Sequence, residues 1–235
     1  MSAPSLHLLC AGAVQGLVKA LEPRWIEATG ATLQARYGAV GAMKEALAEG
    51  APCDVMIVTD AMVVALQREG ALSARARAPL GTVRTGLAVR SGEPHPDVST
   101  PQALATALAA VRAIYFPDPQ RATAGIHFES VLRRLGVFDA LAPRLRTFPN
   151  GATSMRELAA DASPGAIGCT QITEILYTPG IVLVGALPTA FELATVYTAA
   201  IAARAAQPAL AQRFVELLTG PDSHALRERG GFELT

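Results

Sequence analysis

Apolar and polar positions along the chain repeat one grammar: a short apolar run, a turn of small residues, then apolar positions at helical spacing. Residues 5–10 (SLHLLC) predict a buried strand, and Val14, Leu17, Val18, Leu21, Trp25 and Ile26 predict the helix after it, softly broken by Pro23 and ended at Thr29-Gly30. Residues 32–37 alternate as a second strand, and the turn 38–41 leads into a helix carrying Met43, Ala46 and Leu47 that ends at Gly50. Residues 53–58 (CDVMIV) predict a third strand, with Thr59 as the cap of a helix that presents Met62, Val63 and Leu66 and stops at Gly70. Strand and helix alternating without long loops imply parallel pairing and right-handed crossovers in a three-layer α/β arrangement.

The pattern changes at 80–89 (LGTVRTGLAV), a strand that follows a Pro/Arg-rich connection and predicts a crossing into a second lobe. There the same grammar resumes. Thr100-Pro101 opens a helix, 112–116 is a strand, and the turn 117–125 (PDPQRATAG) opens a helix closed by Gly136. A strand at 145–148 precedes a helix in which Ser154 and Glu157 have capping-box spacing, and 166–169 and 181–184 read as further strands. The β-rich stretch 192–202 predicts a return crossing, and helices from Pro208 and Pro221 should pack back on the first lobe. The expected fold is therefore α/β, with two three-layer lobes, a ligand cleft between them, and two crossover strands joining them. Residues 1–82 plus 197–235 form the first lobe and 83–196 the second. Ligands of such sheets bind outside the carboxyl ends of the strands.

Composition narrows the partners. Lysine plus arginine number 20 and aspartate plus glutamate 20, so no overall field attracts nucleic acid or a membrane surface. The hydrophobic fraction is 51%, but Pro and Gly break every apolar run before membrane-spanning length, so no membrane insertion is expected. The 3 cysteines, Cys10, Cys53 and Cys169, have no metal-type spacing, and neither a metal nor a cofactor is expected. The start Met1-Ser2-Ala3-Pro4 shows no leader pattern, which implies a periplasmic protein if a signal peptide once preceded it and a cytoplasmic one otherwise.

Five segments carry a resemblance: LHLLCAGAVQGLVKAL (6–21), AEGAPCDVMIVTD (48–60), the turn and helix at 117–125, GAIGCTQITEI (165–175) and LTGPDSHALRERGGFE (218–233). In their order and spacing the chain resembles the type II periplasmic solute-binding proteins, in the molybdate-binding branch, which also includes the bacterial enzyme aconitate isomerase. The resemblance implies a monomer that closes like a hinged clamp on a small anion, with an ABC transporter membrane subunit as partner. Members that bind molybdate or tungstate resemble one another in a serine at the first turn, a serine at the second and a tyrosine late in the second lobe. Those positions here hold Ala13, Val40 or Gly41, and Cys169. Each missing bond to a charged group removes roughly 1.5–3 kcal/mol, so an organic carboxylate is the expected ligand rather than molybdate.

The residues expected to bind it are Ala11, Gly12 and Ala13 at the first turn, Gly38, Val40 and Gly41 at the second, and Lys44 on the helix that follows. In the second lobe they are Arg121, Thr123 and Ala124; Asn150, Gly151, Ala152 and Thr153; and Cys169, Thr170 and Gln171. Small residues admit an anion to backbone N–H groups at a helix start, Arg121 offers a planar fork, and Gln171 can donate without adding charge. Thr123 reads first as a helix cap. An isomerase acting on an unsaturated carboxylate is the alternative function; it needs a base, for which Lys44, His127, Glu129 and Cys169 are the candidates. A cytoplasmic ligand-sensing module is a further alternative.

Overall fold

The computed structural model describes residues 4–234, apart from the side chains of 75 and 76; the reading of the chain's start rests partly on residues outside that range. Two compact units are built from the chain. One takes residues up to Val83 and from Thr195 onward, and the other takes Arg84–Ala194.

In the first unit β1 (Ser5–Ala11) is flanked by β2 (Thr32–Gly38) and β3 (Val55–Thr59), both parallel to it. A fourth strand, β9 (Ala194–Ala202), lies antiparallel beside β3. Each parallel strand runs directly into a helix: β1 through a 3-10 turn (Gly12–Val14) into α1 (Gln15–Thr29), β2 into α2 (Val40–Ala48), and β3 into α3 (Asp60–Arg68). Gly30 ends α1 in the left-handed region (φ 67°), where its missing Cβ removes the steric penalty. Pro23 sits inside α1 without ending it. The helices α9 (Pro208–Thr219) and α10 (Pro221–Arg229) return to this unit, where the Trp25 and Phe214 rings meet edge-on at 5.2 Å in the apolar core. The buried Asp54 carboxylate accepts the backbone N–H groups of His7 and Gln207, both at 2.9 Å, and so ties the early strands to the start of α9.

The second unit is one continuous stretch. Its central strands are β5 (Ala113–Pro117), β7 (Ala166–Gln171) and β6 (Leu145–Phe148), with β5 parallel to both neighbours. β4 (Leu72–Arg90), which enters from the first unit, pairs antiparallel with β7 and with β8 (Ile181–Ala186). On one face α4 (Pro101–Ala110) and α5 (Thr123–Arg134) bury Leu104, Leu108, Phe128 and Val131 against Leu87, Ile114 and Cys169. On the other, α7 (Gly151–Ala160) and α8 (Ile172–Tyr177) bury Met155, Leu158 and Ile175.

Four expectations change. β4 begins at Leu72, because the connection read as Pro/Arg-rich alternates Ala with polar residues and extends as strand. A short α6 (Phe138–Leu141) and α8 were not foreseen. α7 is capped by Asn150, whose side chain accepts the Thr153 N–H at 2.8 Å; Ser154 is a fully buried helical residue, so the capping box does not form. Thr123 is the first residue of α5 rather than its cap, which is Ala122. No helix among the described residues is long and apolar enough to cross a membrane.

Candidate functional site

The carboxyl ends of the parallel strands present helix N-termini in both units, and these differ in what already occupies them. Every α-helix begins with backbone N–H groups that have no partner within it, so an empty start is a donor set for an anion. In the first unit the turn at Gly12–Val14 is preceded by Ala11, and α2 by Ala39; both cap positions are extended, and neither supplies a side-chain bond. Gly12, Ala13 and Val40 are buried. α3 is different: Thr59 accepts the Met62 N–H at 3.4 Å, and the Asp60 carboxylate is taken by Arg77 and by the Thr198 hydroxyl (2.9 Å).

In the second unit α5 begins at Ala122 without a side-chain cap. Its approach is tight, since a Cβ on Gly125 would overlap the carbonyls of Pro117 and Asp118. The preceding turn is closed by Asp118, whose Oδ1 accepts the backbone N–H groups of Gln120 (2.7 Å) and Arg121 (3.2 Å). The Arg121 side chain is exposed.

The start of α7 is filled from within the protein. Glu174, on α8, reaches under Gly151, where a Cβ would collide with its carboxylate and with the Thr170 hydroxyl. Its Oε1 accepts the Ala152 N–H at 3.2 Å, its Oε2 accepts the Thr170 hydroxyl at 2.5 Å, and the Gln171 N–H also donates to it. Burial raises the Glu174 pKa to about 7, because the cost of a buried charge exceeds what these three neutral donors return. The turn at 150–153 therefore holds its own carboxylate. Of its residues, Ala152 and Thr153 have their N–H groups engaged by Glu174 and Asn150.

Gln171 stands apart. It is 2% exposed at the end of β7, and among the described residues neither its amide nitrogen nor its amide oxygen has a partner. Its register partner across the ladder is Thr85, 1% exposed, whose hydroxyl is also unpartnered. A buried polar atom left without a bond costs about 1–3 kcal/mol. Strand alternation places Gln171 on the face of Cys169, the one α5 covers, at the edge where α5 begins.

The four base candidates are held elsewhere. Lys44 pairs with Glu69, beyond the far end of α3, at 3.6 Å with its side chain 44% exposed. The His127 Nε2 donates to the Phe191 carbonyl at 2.7 Å, and Glu129 accepts from Arg133 one turn on. Cys169 lies in the apolar core, where burial pushes its thiol well above the usual range. Glu174 is the group that the sequence reading missed. Its trace in the sequence is Thr170 four residues earlier; the glycine it fits under is 23 positions away and invisible to local pattern.

Comparison with known proteins agrees with the fold. The periplasmic molybdate-binding protein of Azotobacter vinelandii superposes with a TM-score of 0.80 at 22% identity, covering 98% of this chain and 99% of that one. The L-phospholactate-bound PEB3, a protein of Campylobacter jejuni, superposes at 0.69 with 14% identity over 98% and 100%. In sequence, the aconitate isomerase of a Pseudomonas species is 26% identical over 238 residues, 97% of this chain and 87% of the enzyme. Residues 6–233 match the model of the bacterial extracellular solute-binding proteins, and the chain belongs to that family.

Proposed function

We propose that the protein binds a small organic carboxylate and delivers it to an ABC transporter membrane subunit. The observation that carries the carboxylate is Gln171: a fully buried amide, unpartnered at both ends, beside the uncapped start of α5. A neutral amide discriminates by shape and hydrogen bonding; it offers a donor to a carboxylate oxygen and an acceptor to a hydroxyl or protonated carboxyl. Ala13, Val40, Gly41 and Cys169 bring no hydroxyl to a tetrahedral oxyanion, which weighs against molybdate. In this reading the backbone at 11–13 and 38–41 offers donors in the first unit, and in the second unit the backbone at 123–124 offers them with Gln171 setting orientation there. Thr170, Gly151, Ala152 and Thr153 support the site through Glu174 and Asn150.

A thermal-shift and calorimetric panel of citrate, malate, trans-aconitate, sulfate and molybdate tests the reading. At least one carboxylate raises the midpoint and gives 1:1 binding, and Gln171→Leu weakens it roughly tenfold or more. Tight binding of molybdate with no response to any carboxylate overturns it.

A second reading is favoured by Glu174. A carboxyl that titrates near neutrality can take and return a proton, as isomerisation of an unsaturated carboxylate requires, and backbone dipoles would stabilise the charge developing beside the ligand's carboxylates. The similarity to an aconitate isomerase supports it. Proton NMR of trans-aconitate with the protein in deuterated water decides: turnover or deuterium uptake that Glu174→Gln abolishes supports an enzyme, and an unchanged spectrum rejects it.

A further inference from the structure

The first unit holds a polar cavity, of about 320 Å³, away from the helix starts of α1 and α2. Its walls are Asp60, the β4 stretch 77–82, Val196 of β9, Arg227 of α10 and Leu234 near the chain's end. The wall is fixed by backbone pairing, since Thr82 and Glu233 exchange both N–H···O bonds at 2.8 Å. Gly81, at φ 139°, leaves no room for a Cβ against the carbonyl of Glu233 and the side chain of Leu234.

Charge in this cavity does not balance. Asp60 and Arg77 form a two-pronged pair and cancel each other. Arg227 is 8% exposed, and its guanidinium bonds only neutral groups: the Leu80 carbonyl at 2.8 Å, the Thr219 carbonyl at 2.9 Å and the Ser223 hydroxyl at 3.2 Å. These three bonds leave N–H donors unused in its five-donor fork, and burial pulls its pKa below the usual arginine value. The neighbouring Glu228 acts on the guanidinium through space, but no carboxylate among the described residues bonds it, and a cation lining a ligand-sized space is an anion receptor. The lining also includes the apolar residues Pro79, Leu80, Val196 and Leu234.

We infer that this cavity is a second ligand site, selective for a small monocarboxylate with an apolar body: the carboxylate meets Arg227 and the hydrocarbon lies on Pro79, Val196 and Leu234. One guanidinium with unused N–H donors calls for one carboxylate, and the apolar wall disfavours inorganic oxyanions and polycarboxylates. This site does not depend on the carboxylate reading of Gln171.

Hexanoate and benzoate, with acetate and inorganic phosphate as controls, are titrated into the full chain by protein-observed NMR. Saturable shifts of Val196, Arg227 and Leu234 are expected with hexanoate or benzoate, at least roughly tenfold tighter than with acetate. Val196→Trp fills the space from a half-exposed position without removing charge. It should weaken hexanoate roughly tenfold, while citrate or malate binding, whichever the protein shows, is unchanged. Arg227→Gln should do the same, provided its thermal midpoint confirms folding. No saturable binding of hexanoate or benzoate, equal response to phosphate, or binding indifferent to Val196→Trp overturns the site. Failure of every carboxylate in the earlier panel would overturn that reading alone.

Discussion

Helices α1 and α2 of the first unit and α7 of the second solve the same local problem in opposite ways. In the first, α1 and α2 follow their strands through alanine and glycine, and the cap positions Ala11 and Ala39 give no side-chain bond. In the second, α7 is sealed twice, by Asn150 at the cap and by a carboxylate that comes from α8 and lies beneath Gly151. A helix start filled by the protein's own anion contributes to rigidity, and one left open keeps its donors for a ligand. The difference separates helix starts that are already occupied from helix starts that are open, although both share one strand–turn–helix plan.

The largest expected effect lies in the sealed start. Folded Glu174 holds its proton to about pH 7, whereas the unfolded chain releases it near 4.5. The unfolded state thus binds fewer protons across that window, and stability should fall as pH rises through it, by up to about 3 kcal/mol. Glu174→Gln should flatten the dependence, as read by denaturant midpoints between those pH values; an unchanged slope would show that the carboxyl ionises as freely folded as unfolded. Next in size is Gly125→Ala, whose new methyl meets backbone carbonyls that cannot swing aside; a loss of about 1–3 kcal/mol is expected. Gly38→Ala in the first unit meets only the flexible end of Met43 and should cost less than about 1 kcal/mol. Asn150→Ala removes a formed cap and should cost about 1 kcal/mol. The smallest change is the most diagnostic: Ala39→Ser adds a cap to an open start, raising stability by about 0.5–1 kcal/mol. If the N–H groups of α2 serve the ligand, it lowers carboxylate affinity at the same time. Calorimetry showing greater stability with unaltered affinity would remove α2 from the binding surface.

Strand and helix identities were largely legible, because 3.6- and 2-residue periodicities are local and Gly or Pro punctuates them here. The small residues of the turns also announced where helices begin. What stayed hidden depends on contacts distant in sequence. Nothing near His127 tells that its ring will bond a carbonyl 64 residues on, and nothing near Glu129 gives it a role beyond Arg133. Glu174 was passed over because a glutamate among Ile, Thr and Leu reads as the polar face of a helix; its burial follows from Gly151 and Thr170 making space and donors together. The alternation of alanine with polar residues in 73–78 was present, but alanine is too weakly apolar to distinguish strand from connection.

The route of the chain through the first unit has a consequence for its birth on the ribosome. Trp25 waits for Phe214, Asp54 for Gln207, and the carbonyl of Leu80 for Arg227, so the segment before Val83 lacks these partners until residues 207–227 emerge. The second unit, being contiguous, has everything it needs as soon as Ala194 has left the tunnel. Synthesis thus runs N- to C-terminus while completion runs from the middle outward. Truncation near residue 194 would leave the second unit whole beside an unfinished first one, with the edge of β3 uncovered where β9 belongs.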